Sequence, residues 1–155
     1  MPHACEFEAV RAWAHLEHVV GLGERPAGSA KLEELRRYLE QELTAAGLAP
    51  EREPFRAETP RGALDMANVF ADLAATDAAP GEARAPLVVL ATHIDTKGLD
   101  FPFVGANDGG SGTAVLLELA RVLATRERRV GVRFLFLDGE EAVRHKWRDP
   151  DNCYG

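Results

Sequence analysis

Three short segments hold the residues best suited to chemistry: His93-Ile94-Asp95, Asn107-Asp108 and Asp138-Gly139-Glu140-Glu141. Imidazole nitrogen and carboxylate oxygen are donors that a zinc ion accepts, and a site that keeps one coordination position open is catalytic. Two adjacent glutamates suit a division of labour. One binds metal while its neighbour, turned elsewhere, carries a proton. Each segment alone has a plainer explanation. A histidine after a strand is commonly a hydrogen-bonded structural residue. Asn107-Asp108-Gly109-Gly110 reads equally as a turn with an N-cap, and the acids after Leu137 suit a solvated turn favoured by a helix dipole. A shared location is what favours the metal reading. Gly109-Gly110-Ser111-Gly112 makes a poor phosphate cradle: it lacks the Walker spacing and lysine and follows a loop rather than a strand.

That shared location depends on the elements around the three segments. Leu87-Val88-Val89-Leu90 is a continuous apolar run, which predicts a strand buried on both faces, and it leads into His93. Val132 to Leu137 is largely apolar, a second buried strand that leads into Asp138. Between them, Ser111 to Leu123 reads as a helix with Leu116, Leu117, Ala120 and Leu123 on one face. Strand, helix and strand in this order predict a right-handed crossover in a mainly parallel sheet. Ligands of open α/β sheets bind beyond the carboxyl ends of the strands, so the three segments should meet at one rim.

Ahead of this unit, Ala9, Trp13, Leu16 and Val20 mark one face of a helix over Phe7 to Val20. Gly21 to Ser29 is a loop. Ser29 caps a second helix with Leu32, Leu35, Leu39, Leu43 and Ala46 on one face, and Gly47 stops it. Glu51 to Ala57 reads as an edge strand because of Pro54. Thr59-Pro60-Arg61-Gly62 is turn chemistry, Met66 to Leu73 a strand, and Ala74 to Ala85 a surface loop.

The 155 residues suffice for one α/β domain, read as a single partial unit over 1–155. Apolar residues make up 46% and charged residues 28%, an ordinary globular composition. The net charge of −7, from 18 basic and 25 acidic residues, is scattered without a basic stripe, which argues against nucleic acid. Cys5 and Cys153 form neither a disulfide framework nor a zinc-finger pattern. There is neither a visible secretory signal nor an apolar stretch of membrane-spanning length. A cytoplasmic location is the default, with a secreted or periplasmic one if the true start lies upstream.

Taken in order, Ala91-Thr92-His93-Ile94-Asp95-Thr96-Lys97, Phe103-Val104-Gly105-Ala106-Asn107-Asp108-Gly109-Gly110-Ser111-Gly112 and Asp138-Gly139-Glu140-Glu141-Ala142 resemble the zinc aminopeptidases of metallopeptidase family twenty-eight. The closest resemblance is to their glutaminyl cyclase branch. Leu22 to Ser29, Thr59 to Gly62 and Ala67-Asn68-Val69 resemble the family's segments ahead of the site. Two details favour the cyclase branch: Lys97 after the His-x-Asp-Thr segment, and Trp147 within the stretch Val143 to Asn152. The spacing from Glu141 to Trp147 is one residue longer than that branch usually has.

The resemblance implies a three-layer α/β/α fold with a mixed, mainly parallel sheet, C-terminally truncated in this chain. It implies Asp108 and Glu141 as zinc ligands and Glu140 as general acid/base. His93 would bind a second zinc in an aminopeptidase, oriented by Asp95, and would serve in hydrogen bonding in a cyclase. Trp147 would wall a small substrate side chain. One zinc is expected in the cyclase reading and two in the aminopeptidase reading. The substrate is a peptide or protein N-terminus, with neither nucleic acid nor membrane as partner. The family draws a further acid and a closing histidine from its second half, so this chain is expected to hold an incomplete metal site. A third reading is a fragment or pseudo-enzyme that only binds.

Overall fold

The computed structural model describes residues 6–76 and 86–155. Helix α1 (Ala9–Gly21) and helix α2 (Ala30–Ala45) precede a hairpin of β1 (Glu51–Thr59) and β2 (Gly62–Leu73). Strand β3 (Leu87–His93), a π-turn (Ala106–Gly110), helix α3 (Ser111–Ala124) and strand β4 (Gly131–Leu137) follow. Residues 77–85 of the expected loop lie outside the described residues. No described helix is long and apolar enough to cross a membrane.

The four strands form one mixed sheet in the order β1-β2-β4-β3. The parallel pair is β3 with β4. The β1–β2 and β2–β4 pairs are antiparallel, so the parallel share among the described strands is smaller than the sequence suggested. The expected crossover unit is present, with α3 joining two parallel neighbours.

Alternation sets the core. Val69, Ala71 and Leu73 of β2 and Val132, Phe134 and Phe136 of β4 point to one face. There they meet Leu32, Leu35, Leu39 and Leu43 of α2, Leu116, Leu117 and Ala120 of α3, and Val19 of α1. The Ser29 hydroxyl caps α2 by accepting from Leu32 N at 3.1 Å, and Gly47 (φ 86°) turns the chain out of it. On the opposite face Arg133 lies over the Phe70 ring and pairs with Asp72 at 2.7 Å. The described residues therefore supply the sheet and one helical layer of the α/β fold.

Two expectations need correction. The run Leu87-Val88-Val89-Leu90 is not buried on both faces: Leu87, Val88 and Val89 are 48%, 44% and 49% exposed. Among the described strands β3 has only β4 beside it, and of this run only Leu90 packs against the core. In α1 the buried residues are Ala12 and Val19, whereas Trp13 is 60% exposed. Apolar residues surround this helix, so its periodicity does not single out the face that packs, and His15 on the inner side bonds the Tyr38 hydroxyl instead (2.7 Å).

Candidate metal centre at the carboxyl edge of the sheet

His93 closes β3 opposite Leu137, the last residue of β4, so both strands leave the sheet at one edge. Ile94 N donates to Leu137 O at 2.9 Å and carries the pairing one residue further. Asp95 then turns inward and is fully buried. Its Oδ1 accepts from Glu140 N at 3.2 Å and its Oδ2 from Glu141 N at 3.0 Å. The side chain after β3 thus fixes the backbone of both glutamates after β4. Gly139 (φ 69°) makes the bend before them; a Cβ there would stand 2.6 Å from Met66 Sδ.

Asp108 sits inside the π-turn in a non-helical conformation (φ −95°, ψ 104°), between the left-handed Gly105 and Gly109. At Gly109 a Cβ would come 3.1 Å from His93 Cε1 and 3.2 Å from the Asp95 carbonyl oxygen. That close approach brings Asp108 Oδ1 to 3.1 Å from His93 Nε2. His93 Nδ1 lies 3.5 Å from Asp95 Oδ1 and 3.8 Å from Glu140 Oε2. It is buried without a hydrogen bond, so Asp95 stands beside the ring while its own bonds go to the backbone. Three carboxylates around the imidazole, Asp95 foremost, push its pKa up to about 9 against the opposing effect of burial.

The adjacent glutamates differ. The Glu141 side chain is 8% exposed and that of Glu140 33%. Burial raises the Glu141 pKa, and the charges of Asp108 and Glu140 add to it. Burial also raises that of Glu140, opposed by His93 and assisted by Asp95. Glu141 Oε2 is buried with no hydrogen-bond partner, 4.0 Å from Lys97 Nζ. A buried carboxylate oxygen without a donor is costly, and a cation on that oxygen would remove the cost. The donor chemistry therefore fits zinc. Among the described residues, however, no three His, Cys, Asp or Glu side chains form a group that could hold a metal ion.

Trp147 is half exposed, and its ring lies 5.5 Å from Lys97 Nζ. Lys97 also donates to the Ala142 carbonyl at 2.7 Å, which ties the Trp147 loop to the chain after β3. Asp151 fastens the far side of that loop, accepting from Val143 N, Arg144 N and the Tyr154 hydroxyl at 3.0, 2.9 and 2.7 Å. Glu141 and Asp95, but not His93, Asp108 or Glu140, line a cavity of about 180 Å³ that also reaches Arg61 and Leu64.

The sequence reading missed three buried charges that hold this edge: Asp151, Arg25 and Arg36. Only Arg36 carried a signal, a charged residue on the leucine face of its helix.

The profile of Peptidase family M28 matches residues 68–146. A glutaminyl-peptide cyclotransferase-like protein of Mus musculus is 42% identical over 144 residues, 84% of this chain and 35% of the relative. The crystal structure of an Acidobacteriales bacterium glutaminyl cyclase superposes with a TM-score of 0.84 at 29% identity, covering 100% of this chain and 52% of that one. Porphyromonas gingivalis glutaminyl cyclase gives 0.81 at 30% identity, covering 96% and 51%. The chain spans about a third of that curated relative and half of those structures.

Proposed function

Since this chain belongs to peptidase family M28, whose profile covers half of its residues, we propose that it carries part of the active site of a zinc-dependent glutaminyl-peptide cyclotransferase. The reaction is cyclisation of an N-terminal glutamine to pyroglutamate. The α-amine nitrogen bonds to the side-chain amide carbon, the bond from that carbon to its own nitrogen breaks, and ammonia leaves. One observation supports these roles above others: the two glutamates are turned to different surroundings, Glu141 with a buried, unbonded oxygen and Glu140 towards His93.

In this reading Asp108 and Glu141 would hold the zinc. When bound there, zinc supplies Lewis-acid polarisation of the side-chain amide carbonyl. Glu140 takes a proton from the attacking amine and passes it to the departing nitrogen. Its raised pKa suits both halves of that transfer. Asp95 keeps both glutamates in place through their amides, and Trp147 walls the small substrate side chain beside Lys97.

A hydrolytic aminopeptidase is the second reading. The 3.1 Å approach of His93 to Asp108 favours it, because that pair would offer a second zinc an imidazole beside a carboxylate. A glutamine-initiated peptide separates the two. The cyclotransferase releases ammonia and leaves a blocked N-terminus, with little effect on a leucine-initiated peptide. Rapid release of free leucine by a protein holding two zincs per chain would establish the hydrolytic reading instead.

A further inference from the structure

Arg25 is fully buried, with the charge of the equally buried Asp95 acting on its guanidinium. Its two terminal nitrogens bond backbone carbonyls, while Nε has no hydrogen-bond partner among the described residues. Nη1 donates to Val19 O at 3.1 Å and Gly23 O at 2.6 Å, and Nη2 donates to Val104 O at 3.1 Å. Its own peptide group is bound as well: Arg25 N donates to Thr96 Oγ1 at 2.8 Å, and Thr96 N donates back to Arg25 O at 3.0 Å. One residue earlier, Glu24 Oε1 accepts from Phe103 N at 2.9 Å. Two successive residues of the α1–α2 loop therefore grip two successive residues, Phe103 and Val104, directly ahead of the π-turn.

The grip leads straight to Asp108. Val104 precedes Gly105, whose left-handed conformation (φ 56°) starts the turn, and Gly110 N closes it on Gly105 O at 2.9 Å. Rotation of the Val104 carbonyl would turn the Gly105 peptide and swing the Asp108 carboxylate away from the rim. Burying a guanidinium is costly even with the charge of Asp95 acting on it. Its planar fork of five N–H donors reaches carbonyls from separate segments at once, which a lysine ammonium cannot do in that geometry.

We propose that Arg25, assisted by Glu24, is a positioning residue for Asp108: it fixes the carbonyl ahead of the turn and thereby sets the carboxylate where it can hold zinc. The inference rests on the metal role proposed for Asp108 but not on which reaction follows.

The test is titration of the chelator-stripped intact enzyme with Zn²⁺, and with Co²⁺ followed by its visible absorption, for wild type, Arg25→Lys and Glu24→Ala. Residues that orient metal ligands typically contribute 10- to 100-fold in metal affinity. Arg25→Lys should therefore weaken Zn²⁺ binding roughly 10- to 100-fold and change the Co²⁺ spectrum while the far-ultraviolet circular dichroism is retained. Native affinity with a native Co²⁺ spectrum in a folded Arg25→Lys protein overturns the proposal. If Arg25→Lys fails to fold, Glu24→Ala decides, because Glu24 is exposed and outside the core: weakened Zn²⁺ binding supports the grip, and unchanged binding overturns it. Ammonia release from a glutamine-initiated peptide by the wild type is measured alongside. Its absence with the metal effect present would refute the reaction and leave the role of Arg25 standing.

Discussion

Replacing Arg36 with methionine tests how the end of β4 is held. Arg36 is 5% exposed on the leucine face of α2. Its Nη2 bonds Asp138 Oδ2, Nε donates to Ala67 O at 3.1 Å, and Nη1 to Glu33 at 2.9 Å. Asp138, the residue before Gly139-Glu140-Glu141, is fully buried and also accepts from Ala67 N at 2.9 Å. Burial pushes its pKa up even with Arg36 pulling it down. Methionine keeps the stem and removes the cation. Removing one partner of a buried pair costs about 3–5 kcal/mol, a large part of the roughly 5–15 kcal/mol that holds a domain together. Protonation offers a partial escape. Without Arg36 the folded pKa of Asp138 rises further above its unfolded value near 3.9. A carboxyl with a raised folded pKa costs stability as pH rises from its unfolded value through its folded one, so the loss should grow with pH over that interval. Its slope cannot exceed about 1.4 kcal/mol per pH unit. Arg36→Met/Asp138→Asn leaves no buried charge and keeps an acceptor for Ala67 N, so it should recover much of the stability and lose the pH dependence. Urea unfolding at pH 5, 6.5 and 8 in the presence of chelator measures all three proteins. A loss below about 1 kcal/mol for Arg36→Met at all three pH values would show that Asp138 does not depend on Arg36.

In the intact enzyme Glu140→Gln should keep zinc but lose turnover by about 10²- to 10⁴-fold, whereas Glu141→Gln should weaken zinc binding itself. Equal zinc loss in both, by metal analysis, would end the division of labour. Gly109→Ala places a Cβ against His93 and Asp95 in a left-handed backbone (φ 82°); roughly 1–2 kcal/mol of backbone strain plus crowding should lower the melting temperature, and an unchanged melt would contradict the close approach. In metal-free protein the folded pKa of His93, about 9, exceeds its unfolded value near 6.5. Its contribution is therefore complete below pH 6.5 and lost as pH rises through 9, so the stability gap between wild type and His93→Gln should narrow over that range. A constant gap would remove the ion pairs from the account.

Legibility in the sequence followed the range of the interactions concerned. The packing face of α2 was readable because Leu32, Leu35, Leu39 and Leu43 stand at helical spacing between a capping Ser29 and a stopping Gly47. These are local signals. For α1 they are ambiguous, since Val10, Trp13, Leu16 and Val19 ring the helix and only tertiary contact decides that Val19 is buried while Val10 is 72% exposed. The β3 run was readable as a strand, but its exposure depends on which strand lies beside it, a property that residues 87–90 do not encode. The convergence of His93, Asp108 and Glu140 was readable because two parallel strands must end at the same edge.

Within the site, acidity alone did not sort the carboxylates, whereas their hydrogen bonds do. A loop cannot satisfy its backbone groups in a ladder, so buried loops need side chains to bond them. Asp95 accepts two amides, Asp151 accepts two amides and a hydroxyl, and Asp138 accepts one amide and pairs with Arg36 through Oδ2, although its Oδ1, like Glu141 Oε2, has no hydrogen-bond partner among the described residues. These acids hold structure. Asp108 bonds His93 and stays 55% exposed, with no backbone amide bonding its carboxylate among the described residues. Glu140 is one-third exposed, and Glu141 is buried with an oxygen that nothing satisfies. Amide bonds hold these carboxylates in fixed orientations and occupy part of their lone pairs, which leaves them less free to take a metal or a proton in transit. Those left unengaged at the rim keep that freedom, and they are the residues to which the proposed reaction assigns chemistry.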